Sequence, residues 1–170
     1  MTACLPCVQI PLPITPFGLM KKLLIVYHSQ SGTCASLAQA VMAGASMESE
    51  VESRLLRALD AGVADLAECD GVVLIAAENS GALAGGMKDF LDRVFYPAIR
   101  RELVLPYAMI ISAGNDGRGA EREAQRILSG IPFTRATETK ILRGEFDRHK
   151  GEQCNELGLA FAAGLGIGIY

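Results

Sequence analysis

Small hydroxyl residues crowd one stretch, Ser29-Gln30-Ser31-Gly32-Thr33-Cys34, directly after the apolar run Leu23-Leu24-Ile25-Val26-Tyr27. A helical pattern begins at once, with Leu37, Ala38, Val41, Met42 and Ala45 on one face. Backbone N–H groups in a helix's first turn lack intrahelical partners, and the helix dipole is positive there. A loop of small residues at that point can therefore hold a phosphate. The same residues also fit ordinary N-capping by Ser31 or Thr33. Taken alone, the loop leaves both readings open.

Other chemistry-bearing residues are read more plainly. His28 at the strand end could meet a ligand's phosphate beside this loop, but it reads first as a hydrogen-bonded loop histidine. His149 lies in the charged run Arg148-His149-Lys150-Gly151-Glu152, a solvated lead-in to the last helix. Cys34 at a helix start is a place where a thiol pKa can fall, yet it reads first as a small packing residue. Cys4-Leu5-Pro6-Cys7 has CxxC spacing, but no second pair or His cluster completes a zinc site.

Composition narrows the classes. Half of the 170 residues are apolar and 21% are charged, which fits a globular core and excludes disorder or collagen-like sequence. Sixteen Lys/Arg against nineteen Asp/Glu leave a net charge of −3, without an electrostatic footprint for nucleic acid. The longest apolar stretch, Leu103 to Gly114, contains Pro106 and is shorter than the roughly 20 residues of a spanning helix. The expectation is a cytoplasmic protein that enters no membrane, with its five cysteines reduced.

Residues 1–19 stand apart. They hold four of the seven prolines and no Lys or Arg, which fits neither a signal peptide nor regular helix or strand. They read as a proline-rich extension outside the core, with the folded domain over 20–170 and Met20 as an alternative start of translation.

From Lys21 onward, apolar runs alternate with helical patterns. After the first strand and helix come a weaker strand over Val51–Leu56 and a strongly apolar one over Gly71–Ala77. A helix over Gly86–Arg101 carries Met87, Phe90, Leu91, Val94, Phe95 and Ile99 as one stripe. A fourth strand over Tyr107–Ile111, a helix over Gly119–Leu128, a weak strand over Thr137–Leu142 and a last helix marked by Cys154, Leu157, Phe161 and Leu165 complete the chain. Such alternation predicts a parallel sheet covered by helices on both faces. Continuously apolar strands belong inside and mixed ones at the edges. Runs one, three and four are the apolar ones, so the predicted five-stranded order is 2-1-3-4-5. That is the flavodoxin-like three-layer α/β sandwich, whose ligand lies past the carboxyl ends of strands 1 and 3.

The stretch Leu23–Ala45 resembles the first strand, phosphate loop and helix of flavodoxins and related FMN reductases. Ser29, Ser31 and Gly32 match the hydroxyl-rich loop of that family, while Cys34 replaces its last hydroxyl. Gly81-Ala82-Leu83-Ala84-Gly85-Gly86-Met87-Lys88-Asp89-Phe90-Leu91-Asp92-Arg93 is similar to the Gly-x6-Lys-x-Phe-Leu-Asp-Arg segment of the NAD(P)H-dependent FMN-reductase and WrbA-type branches. The resemblance implies FMN, with NAD(P)H as donor and a quinone-like or flavin small-molecule acceptor. It implies that Ser29, Gln30, Ser31, Gly32, Thr33 and Cys34 cradle the phosphate. Glu78, Asn79, Ser80 and Gly81 would line one edge of the flavin, and Ser112, Ala113, Gly114 and Asn115 the other. It places Asp92 and Arg93 in surface or subunit contacts, and implies a homodimer or homotetramer. Hydride transfer to a flavin needs no side-chain acid or base, so no catalytic residue is expected.

Two departures bear on function. Ala77-Glu78-Asn79-Ser80 stands where the family carries an aromatic near the ring, and Ser112–Gly119 offers none. The expected function is an FMN-dependent oxidoreductase. The alternative is a flavodoxin-like binding or regulatory module that has lost tight flavin binding.

Overall fold

The structure, a computed structural model, describes residues 20–170. The proline-rich segment and the Cys4–Cys7 pair lie outside the described residues.

Seven strands and five helices follow one another in the expected alternation. They are β1 (Lys21–Tyr27), α1 (Thr33–Ala45), β2 (Val51–Arg57), α2 (Val63–Ala67), β3 (Gly71–Asn79), β4 (Ala82–Leu83), α3 (Gly85–Arg100), β5 (Leu105–Ala113), α4 (Arg118–Leu128), β6 (Phe133–Arg135), β7 (Lys140–Arg143) and α5 (Arg148–Gly166). The sheet runs β2-β1-β3-β5-β6, with β7 also on β5 and β4 folded back on β3. The four longer strands thus stand in the predicted order, and every pairing except β3–β4 is parallel.

Alternation along the inner strands explains why they are apolar throughout. Leu23, Ile25, Val73, Ile75, Ala108 and Ile110 face a core shared with α1 and α5. Leu24, Val26, Val72, Leu74, Met109 and Ile111 face the opposite core, built with α2, α3 and α4. Residues at period two therefore meet helices on either side, and no position along Leu23–Val26, Val72–Ile75 and Ala108–Ile111 is left for a polar group. Helices α1 and α5 approach backbone to backbone, since a Cβ on Gly158 would lie 2.1 Å from the Val41 carbonyl oxygen.

Three points depart from the sequence reading. The fifth strand is two short pieces rather than one: β5 advances three residues from Tyr107 to Ile110 while the edge advances five, from Arg135 to Lys140. Those two extra residues interrupt the ladder, which an edge strand tolerates because no further strand depends on its register. The stripe on α3 ends in Ala98 rather than Ile99, which is 39% exposed. At 3.6 residues per turn Ala98 lies about 20° round the helix from Met87 and Ile99 about 120°. Helix α2 is too short for a periodic signal; its Asp65 carboxylate accepts from the Gly62 N–H at 2.9 Å. Arg93 stands at the surface, as expected, and also acts within the chain. Its guanidinium donates to the carbonyls of Ala58 (2.6 Å) and Ala61 (2.9 Å) and clamps the β2–α2 connection to α3.

Candidate functional site

All helices except α2 are long enough to carry a dipole, and α1, α3, α4 and α5 begin just past the carboxyl ends of β1, the β3–β4 hairpin, β5 and β7. Their positive ends therefore gather at the carboxyl edge of the sheet. A cleft of about 430 Å³ opens there over β1, β3, β5 and β7.

Its β1 side is built by the loop that leads into α1. Gly32 holds φ +98°, a left-handed conformation that admits glycine at no steric cost, and it caps α1 without any side-chain bond. The Ser29 hydroxyl oxygen accepts from the Gly32 N–H at 3.1 Å, and the first intrahelical bond runs from the Ser36 N–H to the Gly32 carbonyl. Neither Ser31 nor Thr33 caps the helix. Among the described residues nothing accepts from the N–H groups of Ser31, Thr33, Cys34 and Ala35, and the first turn holds no acidic residue. The N-capping reading is thereby set aside. Cradle geometry, open donors and the absence of a competing carboxylate fit a phosphate dianion.

Ser29, Gln30, Ser31, Thr33 and Cys34 all line the cleft, and Gly32 sets the turn between them. Cys34 is 2% exposed and packs in the α1–α5 core. Burial pushes its thiol up to about 11 against a weaker opposing effect from the Ser112 hydroxyl. Its place at a helix start does not activate it, because burial disfavours the thiolate.

Glu78 and Asn79 line the next wall, whereas Ser80 and Gly81 do not. β3 runs two residues past the expected Ala77, and Asn79 pairs with Ala82 across a two-residue turn. Ser80 (φ +51°) and Gly81 (φ +76°) are both left-handed, the signature of a type I′ hairpin. Helix α4 fixes this hairpin from behind. The Glu123 carboxylate accepts from the Leu83 N–H at 2.9 Å, and Gly119 lies so close that a Cβ would stand 1.8 Å from the Gly81 oxygen. The Asn79 amide donates to the Gln30 side-chain oxygen at 3.1 Å, tying this wall to the β1 loop.

Ser112, Ala113 and Gly114 line the third wall; Asn115 lies just outside it and donates its N–H to Glu78 at 3.3 Å. Sequence reasoning did not assign Ala77, Gly144 and Glu145 to the site, and it weighed His28 as a flavin contact but preferred a loop histidine; all four line the cleft. The His28 ring packs on the first turn of α3, where a Cβ on Gly86 would sit 2.2 Å from Nδ1. Gly144 and Glu145 directly follow β7, so collecting the residues after every strand of the sheet would have found them. None of the lining residues is Phe, Tyr or Trp.

A second concavity, about 570 Å³, lies at the opposite edge of the sheet beside the Lys21–Asp70 ion pair and Tyr170. It is the larger of the two, but no helix of eight or more residues begins among its lining residues. The described residues contain no cluster of His, Cys, Asp and Glu suited to a metal ion, and no helix long and apolar enough to cross a membrane.

No protein-family model matches the sequence, and no curated protein matches it. Solved structures do resemble the fold. A flavodoxin from the domain Archaea superposes with a TM-score of 0.72 at 18% identity, over 85% of this chain and 98% of that one. A WrbA-like flavodoxin from Agrobacterium tumefaciens gives 0.71 at 16% identity, over 85% and 97%. The flavodiiron protein from Giardia intestinalis gives 0.72 at 18% identity, over 86% of this chain and 36% of that one. With its strand order, its two helical layers and its open loop after β1, the chain has the flavodoxin-like fold.

Proposed function

We propose that residues 20–170 form an FMN-binding oxidoreductase domain that passes electrons from NAD(P)H to a quinone-like or flavin acceptor. The uncapped start of α1, facing the cleft beside β3, is the observation that carries this reading. FMN, when bound, supplies hydride acceptance and release; with a quinone Q the net change is NAD(P)H + H⁺ + Q → NAD(P)⁺ + QH₂.

The chain's part is to bind, orient and admit. The N–H groups of Ser31, Thr33, Cys34 and Ala35, with the hydroxyls of Ser29, Ser31 and Thr33, would hold the phosphate. A single cradle of this kind suits a monophosphate, since the loop lacks the GxGxxG that serves a pyrophosphate. Glu78 and Asn79 would border one side of the ring, and Ser112, Ala113 and Gly114 the other. A cleft without Phe, Tyr or Trp in its lining leaves room for a flat partner to stack in turn.

That same lack of aromatics favours a second reading, a flavodoxin-like binding module that holds flavin weakly. One titration addresses both. FMN, FAD and riboflavin are added to the full chain while flavin fluorescence is followed. FMN should be quenched at the lowest concentration. Riboflavin binding as tightly as FMN would remove the phosphate cradle from the reading. Weak or no FMN binding, with no NAD(P)H-dependent quinone reduction by the flavin-supplied chain, would leave the binding module.

A further inference from the structure

Of the sixteen Lys and Arg residues, none lines the cleft. Its fixed charges are two carboxylates, Glu78 at the end of β3 and Glu145 just past β7. Glu78 is half-buried, and the partner its side chain has is the neutral Asn115 N–H. Glu145 is exposed, and its segment is held in place because its carbonyl accepts from Lys150 Nζ at 2.7 Å. The bases of this segment are engaged elsewhere: Lys150 pairs with Asp147 and Arg148 with Glu152. Arg118 and Arg143 are exposed and stand outside the lining. The β1 side holds only uncharged donors. The cleft is therefore polar along its length, receptive to an anion at the start of α1 and negative between β3 and β7.

Resting on the flavin reading above, we propose that Glu78 and Glu145 select the electron partners by charge. Uncharged and cationic donors and acceptors enter between β3 and β7 more readily than anionic ones. A nicotinamide donor without a 2′-phosphate is preferred over one that carries it. The cause is Coulombic: a concave, partly desolvated wall of one sign concentrates counter-ions and repels like charge, and salt weakens both effects.

The charge claim can be read without flavin. The ¹⁵N-labelled full chain is exposed in turn to a cationic nitroxide, 4-ammonium-TEMPO, and to an anionic one, 4-carboxy-TEMPO, at low and at high ionic strength. Amides of Ala77, Glu78, Gly114, Gly144 and Glu145 should be broadened at least about threefold more by the cation at low salt. The difference should shrink at high salt, and Glu145→Gln should reduce it. Equal or stronger broadening by the anion, which Arg118 and Arg143 would cause if they dominated the site, overturns the proposal. With FMN-loaded, reduced protein, tris(phenanthroline)cobalt(III) should oxidise the flavin about tenfold faster than ferricyanide at low salt. A faster ferricyanide reaction also overturns it. Failure of FMN to bind in the fluorescence titration defeats the flavin reading separately, because the nitroxide comparison does not involve the cofactor.

Discussion

Two loops leave neighbouring strands at the same edge of the sheet and treat their backbone groups in opposite ways. The loop after β1 leaves the N–H groups of Ser31, Thr33, Cys34 and Ala35 open toward the cleft. The hairpin after β3 closes on itself through the Asn79–Ala82 pair, and α4 satisfies it from behind through Glu123. One wall is receptive and the other is braced. A site that must hold a ligand in one orientation needs both, because open donors bind and a rigid opposite wall sets where the rest of the molecule can lie.

The sharpest way to break this contrast is Gly32→Asp. It places a carboxylate in the open cradle and a side chain on a left-handed residue. FMN affinity should fall by about 3 kcal/mol or more, over a hundredfold, in the fluorescence titration. Folding stability should drop by only about 1 kcal/mol, because open space surrounds the added Cβ and the cost is backbone strain alone. Unchanged FMN binding in a folded variant would place the receptive wall elsewhere.

Gly119→Ala attacks the braced wall instead. The new Cβ meets the Gly81 oxygen, so the hairpin must move off α4 at a cost of about 2–3 kcal/mol, read by urea unfolding. Hydrogen exchange at the Leu83 amide should accelerate in the same variant. If stability and exchange both stay as in the parent, the hairpin is not braced by α4.

The third effect is a pH dependence at the foot of the receptive loop. The Cys34 thiol is raised by burial to about 11 in the folded chain, against about 8.5 in an unfolded one. A raised acid pKa stabilises fully below the unfolded value and is lost as pH climbs toward the folded one. Stability should therefore fall by roughly 1 kcal/mol per pH unit from this group between about pH 9 and 11. Cys34→Ala should flatten that part of the profile, and a slope equal to the parent's would assign it to other groups. Ellman's reagent should leave Cys34 unmodified in the folded chain at pH 8.

The smallest change sharpens the comparison. Ser80 pays for a left-handed φ without being glycine. Ser80→Gly should stabilise the hairpin by about 0.5 kcal/mol in thermal unfolding, with FMN affinity unchanged because Ser80 lies outside the cleft. A loss of FMN affinity would return this residue to the site.

Much of the architecture was legible because it is encoded in local patterns. Leu23–Val26, Val72–Ile75 and Ala108–Ile111 are apolar on both faces, which can only suit inner strands. The hydroxyl-rich loop between a strand and a helix is legible as a candidate for the receptive wall. The hairpin was not legible: Asn79-Ser80-Gly81-Ala82 reads as loop, and its bracing partners Gly119 and Glu123 come some forty residues later. Cys34 was legible as a helix-start residue, yet the sign of its shift depends on how deeply the α1–α5 core covers it.

Residue type and spacing by themselves determined which strands are inner and in what order they lie. These follow from burial and from the local geometry of the chain, which neighbouring residues decide. Tertiary structure alone decided that Arg93 clamps the carbonyls of Ala58 and Ala61, that the edge strand splits, and that Glu145 joins Glu78 in one cleft. Those are meetings between residues 28 to 67 positions apart. No local pattern encodes them, because sheet register and helix packing determine which distant groups come within reach.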